Sequence, residues 1–279
     1  MRFEKWQSLG NDYVIVERDA LPWDLTAERI RRICETHFGL GSDGILLLSR
    51  ADDPAYVAEL EIFNPDGSEA ELSGNGARQA ALYLRRSGWV DEDEFAILTR
   101  AGKIRPVIAA PDAATLDMGR ASLTSGDFPS GGPEGTGALF AGGREWRFRH
   151  VSIGNPQCVI DAGDEVEELD VGAIGPEVER SDLFPNRTNV SFIRVDGASV
   201  RARIFERGVG ETLSSGTGAS GAAVAAFLRG SPSPITVRLD GGELIVEVDD
   251  DLGIRLTGTA EPILGGELSP ELVRSLERA

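Results

Sequence analysis

Phe63-Asn64-Pro65-Asp66-Gly67-Ser68-Glu69-Ala70-Glu71-Leu72-Ser73-Gly74-Asn75-Gly76-Ala77 occurs in this chain with a near copy, Phe205-Glu206-Arg207-Gly208-Val209-Gly210-Glu211-Thr212-Leu213-Ser214-Ser215-Gly216-Thr217-Gly218-Ala219. In each copy Ser-Gly-x-Gly-Ala begins ten residues after a phenylalanine. A run suited to a buried helix follows each: Arg78 to Leu84 in the first, Ser220 to Leu228 in the second. Ser73 and Ser215 fall where an N-cap belongs, and the Gly-x-Gly after each exposes backbone N–H groups at the helix start. Such a start attracts a carboxylate or phosphate. Two of them suggest one small anionic ligand held between two facing helix ends. The plain alternative is two capped helices that bind nothing; the duplication, with its matched acidic lead-ins, argues for a ligand.

Working outward, Arg2 to Ser8 and Tyr13 to Glu17 read as strands around a turn at Leu9-Gly10-Asn11-Asp12. Asp24 to Phe38 has helical spacing, with Leu25, Ile30 and Ile33 as its apolar stripe. Further strands are expected at 45–48, 57–63, 95–99, 103–108 and 115–118. Ser122 to Gly143, rich in glycine and carrying Pro129 and Pro133, reads as a linker or surface loop. From Trp146 the pattern begins again, and Ile153-Gly154-Asn155-Pro156 mirrors Leu9-Gly10-Asn11-Asp12. Strands follow at 189–195, 200–205, 235–239, 243–248 and 253–257, and a short helix at 269–278. The short, hairpin-linked strands argue for an α+β fold: two pseudo-symmetric domains, each an antiparallel sheet curled about one central helix.

The formal charge of −18 argues against nucleic acid or an anionic membrane as partner. No apolar run approaches the length of a membrane span, and no signal peptide precedes the first strand, so a cytoplasmic setting is expected. Cys34 and Cys158 offer no disulfide framework and read as small hydrophobes. With His37 and His150 the only histidines, no metal cluster is expected.

The motifs Gly10-Asn11-Asp12-Tyr13, Gly41-Ser42-Asp43-Gly44, Phe63 to Glu69, Gly74-Asn75-Gly76-Ala77-Arg78, Gly154-Asn155-Pro156 and Glu206 to Thr212 closely resemble diaminopimelate epimerase, in the family's order and over nearly the whole chain. The resemblance implies two β-barrel domains, each around a central helix, at 1–118 and 119–262, with 263–279 packing back on the first. It implies a homodimer acting on an amino acid without metal or pyridoxal phosphate. In that family one thiolate removes the α-proton and a second thiol protonates the opposite face.

Carried across by resemblance, Asn64, Asn155, Asn189 and Arg207 match the positions that hold the distal end of diaminopimelate. Glu206 matches the carboxylate that receives its ammonium, and Asn11 a position near the reacting centre. The backbone amides of Gly74, Asn75, Gly216 and Thr217 match the clamp on the α-carboxylate. The family's two catalytic cysteines are matched by Ser73 and Ser215, and its histidine by Gln157. A serine hydroxyl ionises far less readily than a thiol near pKa ~8.5, and Gln157 does not titrate. Gln79 and Gly221 also stand where the family often has further cysteines, so the departures are coordinated.

The resemblance therefore implies inversion of LL- to meso-diaminopimelate with impaired two-base chemistry. Two alternatives stay open: another isomerase of a small carboxylate using Glu206 alone, and a non-catalytic amino-acid-binding relative. For single residues plainer readings also stand: Ser73 and Ser215 as simple caps, Asn11 and Asn155 as turn residues, and Glu206-Arg207 as a surface ion pair.

Overall fold

A computed structural model describes residues 1–278 and divides the chain into two compact units, Met1–Leu116 with Gly258 onward, and Asp117–Thr257. In chain order the first contains β1 (Arg2–Ser8), β2 (Asn11–Glu17), α1 (Ala27–Cys34), β3 (Ile45–Ser49), β4 (Ala58–Phe63), β5 (Glu69–Ala70), α2 (Gly74–Arg86), β6 (Ile97–Thr99) and β7 (Gly102–Ile104). The hairpin of β8 (Val107–Ala110) and β9 (Ala113–Arg120) follows. Then come β10 (Thr136–Ala141), β11 (Arg144–Ser152), β12 (Pro156–Asp161), α3 (Val171–Glu179), β13 (Asn189–Asp196), β14 (Ser199–Glu206), β15 (Gly210–Thr212), α4 (Gly216–Phe227), β16 (Ile235–Leu239), β17 (Gly242–Val248) and β18 (Gly253–Thr259). The chain ends with β19 (Glu261–Glu267) and α5 (Pro270–Glu277).

The internal repeat is visible as one series of pairings made twice. β1 pairs antiparallel with β2, β2 parallel with β3, β3 antiparallel with β4, β4 parallel with β6, and β6 antiparallel with β7. β11, β12, β13, β14, β16 and β17 repeat that series step for step. β5 and β15 hang on β4 and β14 as matching hairpins that lead into α2 and α4. The sheets are thus mixed, where the short strands had suggested a purely antiparallel arrangement. The reason is that α1, α2, α3 and α4 each act as a crossover, and strands joined by a crossover helix run parallel.

In the first unit both faces of the sheet are buried, and alternate residues serve different cores. Tyr13, Ile15, Leu46, Leu48, Leu60 and Ile62 pack with Ala80, Ala81 and Leu84 of α2. Val14, Val16, Ile45 and Leu47 turn the other way, onto Ile30 and Ile33 of α1 and Leu272 and Leu276 of α5. β19 extends this sheet by pairing with β1. In the second unit α4 touches β11, β12, β13, β14, β16 and β17. Six neighbouring strands span about 24 Å at ~4.8 Å spacing, whereas a helix with its side chains is ~10 Å wide. One helix reaches all six because the sheet curls round it. The small residues Gly221, Ala222, Ala223 and Ala225 of α4 allow that close approach, and all are buried.

Several local expectations are corrected. The helix expected over 24–38 is confined to Ala27–Cys34, because the Thr26 hydroxyl caps it by accepting from the Arg29 N–H at 3.2 Å and Glu35 is already extended. The strand expected at 103–108 is two strands, interrupted at Arg105-Pro106, where proline has no N–H to donate. The glycine-rich 122–143 is only partly loop, since Thr136–Ala141 pairs with Arg144–Arg149.

Leu46 is fully buried beneath the start of α2, its Cδ2 only 3.0 Å from where a Cβ on Gly76 would lie. Leu46→Ala should therefore cost about 2–5 kcal/mol, while Phe140→Ala, at an exposed residue, should stay within about 0.5 kcal/mol of wild type; urea unfolding midpoints check both.

Candidate active site

Each candidate half-site is built on a strand, a glycine turn and a serine-capped helix. In the first unit Ser73 is extended (φ −131°, ψ 121°), and its Oγ accepts from the Gly76 N–H at 3.0 Å. Its carbonyl takes the Ala77 N–H at 2.8 Å. The amides of Gly74 and Asn75 lie ahead of the first intrahelical acceptor and carry the positive end of the helix dipole. In the second unit Ser215 has φ −146° and ψ 119°; its Oγ accepts from Gly218 N–H at 3.2 Å and its carbonyl from Ala219 N–H at 2.9 Å. Gly216 and Thr217 hold the places of Gly74 and Asn75.

The mirrored turns meet these helix starts in the same way. Gly10 (φ 84°) and Gly154 (φ 76°) are left-handed, a conformation that suits glycine, and each delivers an asparagine to the helix. Asn75 Nδ2 donates to Asn11 Oδ1 at 3.2 Å, and Asn155 Nδ2 donates to Thr217 Oγ1 at 3.3 Å. Asn11 is held from behind: its Nδ2 donates to Asp43 at 2.8 Å, and Gln79 Nε2 donates to its carbonyl at 3.0 Å.

Gln157 is buried and donates from Nε2 to Asn155 Oδ1 at 2.7 Å. Gly221 accounts for its place, because a Cβ there would come within 3.0 Å of the Gln157 Cβ. Residues 157 and 221 are thus coupled by packing: the glutamine occupies room that the glycine leaves. Cys34 and Cys158 lie in the core, where burial pushes both thiols up, so neither supplies a thiolate.

Glu206 ends β14 beside the second cap. Burial raises its carboxyl above the ordinary glutamate range, while the neighbouring Thr212 and Ser215 hydroxyls oppose that rise. A carboxylate so placed is a stronger base than a free one and lies within reach of the Ser215 proton. Asn189 braces the same turn: Nδ2 donates to Pro156 O at 3.2 Å, and Oδ1 accepts from the Arg207 N–H at 2.8 Å. The Arg207 guanidinium donates to Asn186 O at 2.9 Å. Asn64 stays within its own turn, its Nδ2 donating to Ser68 Oγ at 2.9 Å.

Three contributors have no role assigned from the sequence, although Tyr13 and Arg78 each close one of its motifs. Arg78 is buried beneath the start of α2; one Nη donates to Ser8 Oγ at 3.0 Å and to Asn75 Oδ1. Its Nε and other Nη have no partner, and it pairs with no carboxylate among the described residues. Burial lowers its pKa to about 10, which leaves it charged at neutral pH. A guanidinium and a helix dipole of the same sign therefore act together at this end of α2, and an anion there would be attracted by both. Glu179, 1% exposed, accepts from the Gly208 N–H at 2.8 Å and so fixes the turn after Glu206. Tyr13 donates its phenol proton to Ser73 Oγ at 3.2 Å.

Residues 3–124 and 149–263 match the family model for diaminopimelate epimerase. This chain belongs to the diaminopimelate epimerase family. Diaminopimelate epimerase 2 of Nostoc sp. is 41% identical over 278 residues, covering 98% of this chain and 97% of the relative. The diaminopimelate epimerase of Desulforudis audaxviator is 41% identical over 280 residues, with 96% and 99% covered. Among solved structures, a hydroxyproline epimerase from Agrobacterium vitis shares the fold, with a TM-score of 0.66 at 18% identity over 98% of this chain and 94% of that one. A methylitaconate-delta-isomerase shares it with a TM-score of 0.62 at 13% identity, covering 96% and 95%. Membership of the diaminopimelate epimerase family makes this an isomerase of the amino-acid epimerase and racemase type.

A carboxyl raised by burial favours its protonated form on folding. Its contribution to stability is complete below the unfolded value of about 4.3 and is lost as pH rises through the folded value. Glu206→Gln should therefore be more stable than wild type at pH 7, with the difference closing below about pH 4; urea midpoints across that range test the sign.

Proposed function

We propose that this protein inverts an α-carbon of diaminopimelate, interconverting the LL and meso isomers without a cofactor, and does so slowly. Membership of the family carries the substrate assignment. The serine-capped helix starts, each with an asparagine delivered to it by the mirrored turn, support it. The amides of Gly74, Asn75, Gly216 and Thr217 would hold the α-carboxylate, where fixed N–H dipoles stabilise negative charge as it develops on the carbon. Asn11 would stand near the reacting carbon. Asn64, Asn155, Asn189 and Arg207 would hold the distal end of the substrate.

Proton transfer is the weak part. At Ser215 the half-buried Glu206 is a base next to the hydroxyl, so a proton taken from the α-carbon can pass through Ser215 to Glu206. Among the described residues Ser73 has the Tyr13 phenol as its partner in place of a carboxylate, and Gln157 offers an amide that does not titrate. A hydroxyl as proton carrier in place of a thiol sacrifices much of the acidity that the reaction uses. Turnover well below that of a cysteine-bearing relative follows. A second reading rests on the same carboxylate: Glu206 acting alone would serve an isomerase that moves one proton without inverting a centre. We also propose a cytoplasmic homodimer placed in lysine and cell-wall precursor synthesis, on the strength of the family resemblance.

The test is α-proton exchange, followed by NMR with LL- and meso-diaminopimelate in D₂O. Exchange above background is expected, falling at least about 10²-fold in Ser215→Ala and also falling in Ser73→Ala. Binding without exchange would overturn the epimerase reading; exchange without inversion would favour the single-base isomerase.

A further inference from the structure

Ser73 is set as a donor by its neighbours. A serine hydroxyl has two lone pairs and one proton. At Ser73 the Gly76 N–H takes one lone pair at 3.0 Å and the Tyr13 phenol takes the other at 3.2 Å. The phenol is the donor of that pair, since it is far more acidic than an alkyl hydroxyl. The proton of Ser73 is left to point outward as a donor. Ser73 is therefore ready to give a proton. At Ser215 the Gly218 N–H takes one lone pair at 3.2 Å.

Tyr13 is built into its position. The ring belongs to the core beneath α2, and a Cβ on Gly44 would lie 2.8 Å from it. In the internal repeat Tyr13 stands two residues after Asn11, as Gln157 stands two residues after Asn155. At 157 the side chain turns to its own asparagine; at 13 it reaches the cap serine.

We propose that Tyr13 is a positioning residue that feeds protons through Ser73, making Ser73 a proton donor to the reacting carbon. This rests on the α-carbon chemistry proposed above. The α-C–H bond breaks, its electron pair stays on carbon, and its proton passes to the base of that reaction. The carbanion then takes the Ser73 proton as Tyr13 passes its phenol proton to Ser73 Oγ, leaving a phenolate. Water reprotonates the phenolate and accepts the proton from the base, so charge and protons balance over one turnover.

Tyr13→Phe keeps the ring and removes only the hydroxyl. We would follow each of LL- and meso-diaminopimelate in D₂O, reading α-proton loss by NMR and configuration by chiral separation. Wild type should couple exchange to inversion. In Tyr13→Phe one isomer should still exchange, with configuration retained, while inversion falls at least about 10²-fold at an unchanged KM. Inversion at the wild-type rate would overturn the role of Tyr13 alone. Equal loss of exchange from both isomers would reduce Tyr13 to a structural residue and overturn it too. No exchange in the wild type would overturn this inference together with the function it rests on.

Discussion

The structure depends on two helix starts, each closed by one serine. A helix leaves its first N–H groups without intrahelical acceptors, and a cap side chain satisfies only some of them. At α2 and α4 the Ser73 and Ser215 oxygens take the third N–H of each helix, and the first two amides project beyond the cap. Everything around the caps keeps that arrangement in place. β4 and β14 bring the chain to the turn, β5 and β15 fold it back, and Asn11 and Asn155 meet the second residue of each helix. The cap serine is thus both a structural necessity and the group nearest to the proposed chemistry.

The two copies have diverged around that shared frame. The first carries charge in its helix: Arg78 is buried under the α2 start, without a carboxylate partner among the described residues. At the matching position of α4 stands Ser220, which returns its hydroxyl to the Gly216 carbonyl at 2.8 Å. The second copy carries its charge in the strand, as Glu206. One copy is therefore electropositive at its helix start, and the other carries a carboxylate beside its cap.

The sequence made the helix starts legible because the motif is copied, and a copied turn is hard to explain by capping alone. It also made the buried character of α4 legible, through Gly221, Ala222, Ala223 and Ala225. It misled on strand direction, because short strands separated by turns look like hairpins, and nothing local tells which turn contains a crossover. Tyr13 closes one of the motifs, but its role was not legible, since its bond to Ser73 joins residues sixty positions apart. Arg78 likewise closes a motif, but nothing local shows that it is buried beneath the helix start. Glu179 lay in an acidic stretch whose one buried carboxylate is selected by the Gly208 N–H, far along the chain. Backbone pattern is local; the partners that tune a site are not.

The central claim is that recognition survives here while proton-transfer acidity has been lost at two positions. The most direct measurement restores the acidity alone: turnover of the Ser73→Cys, Ser215→Cys double variant with LL-diaminopimelate. A thiol still accepts the helix N–H and, placed at a helix start, ionises near neutral pH. The account predicts a rise in the inversion rate of at least about 10²-fold, at a similar KM. A double variant that binds the substrate but inverts it no faster than wild type would contradict it.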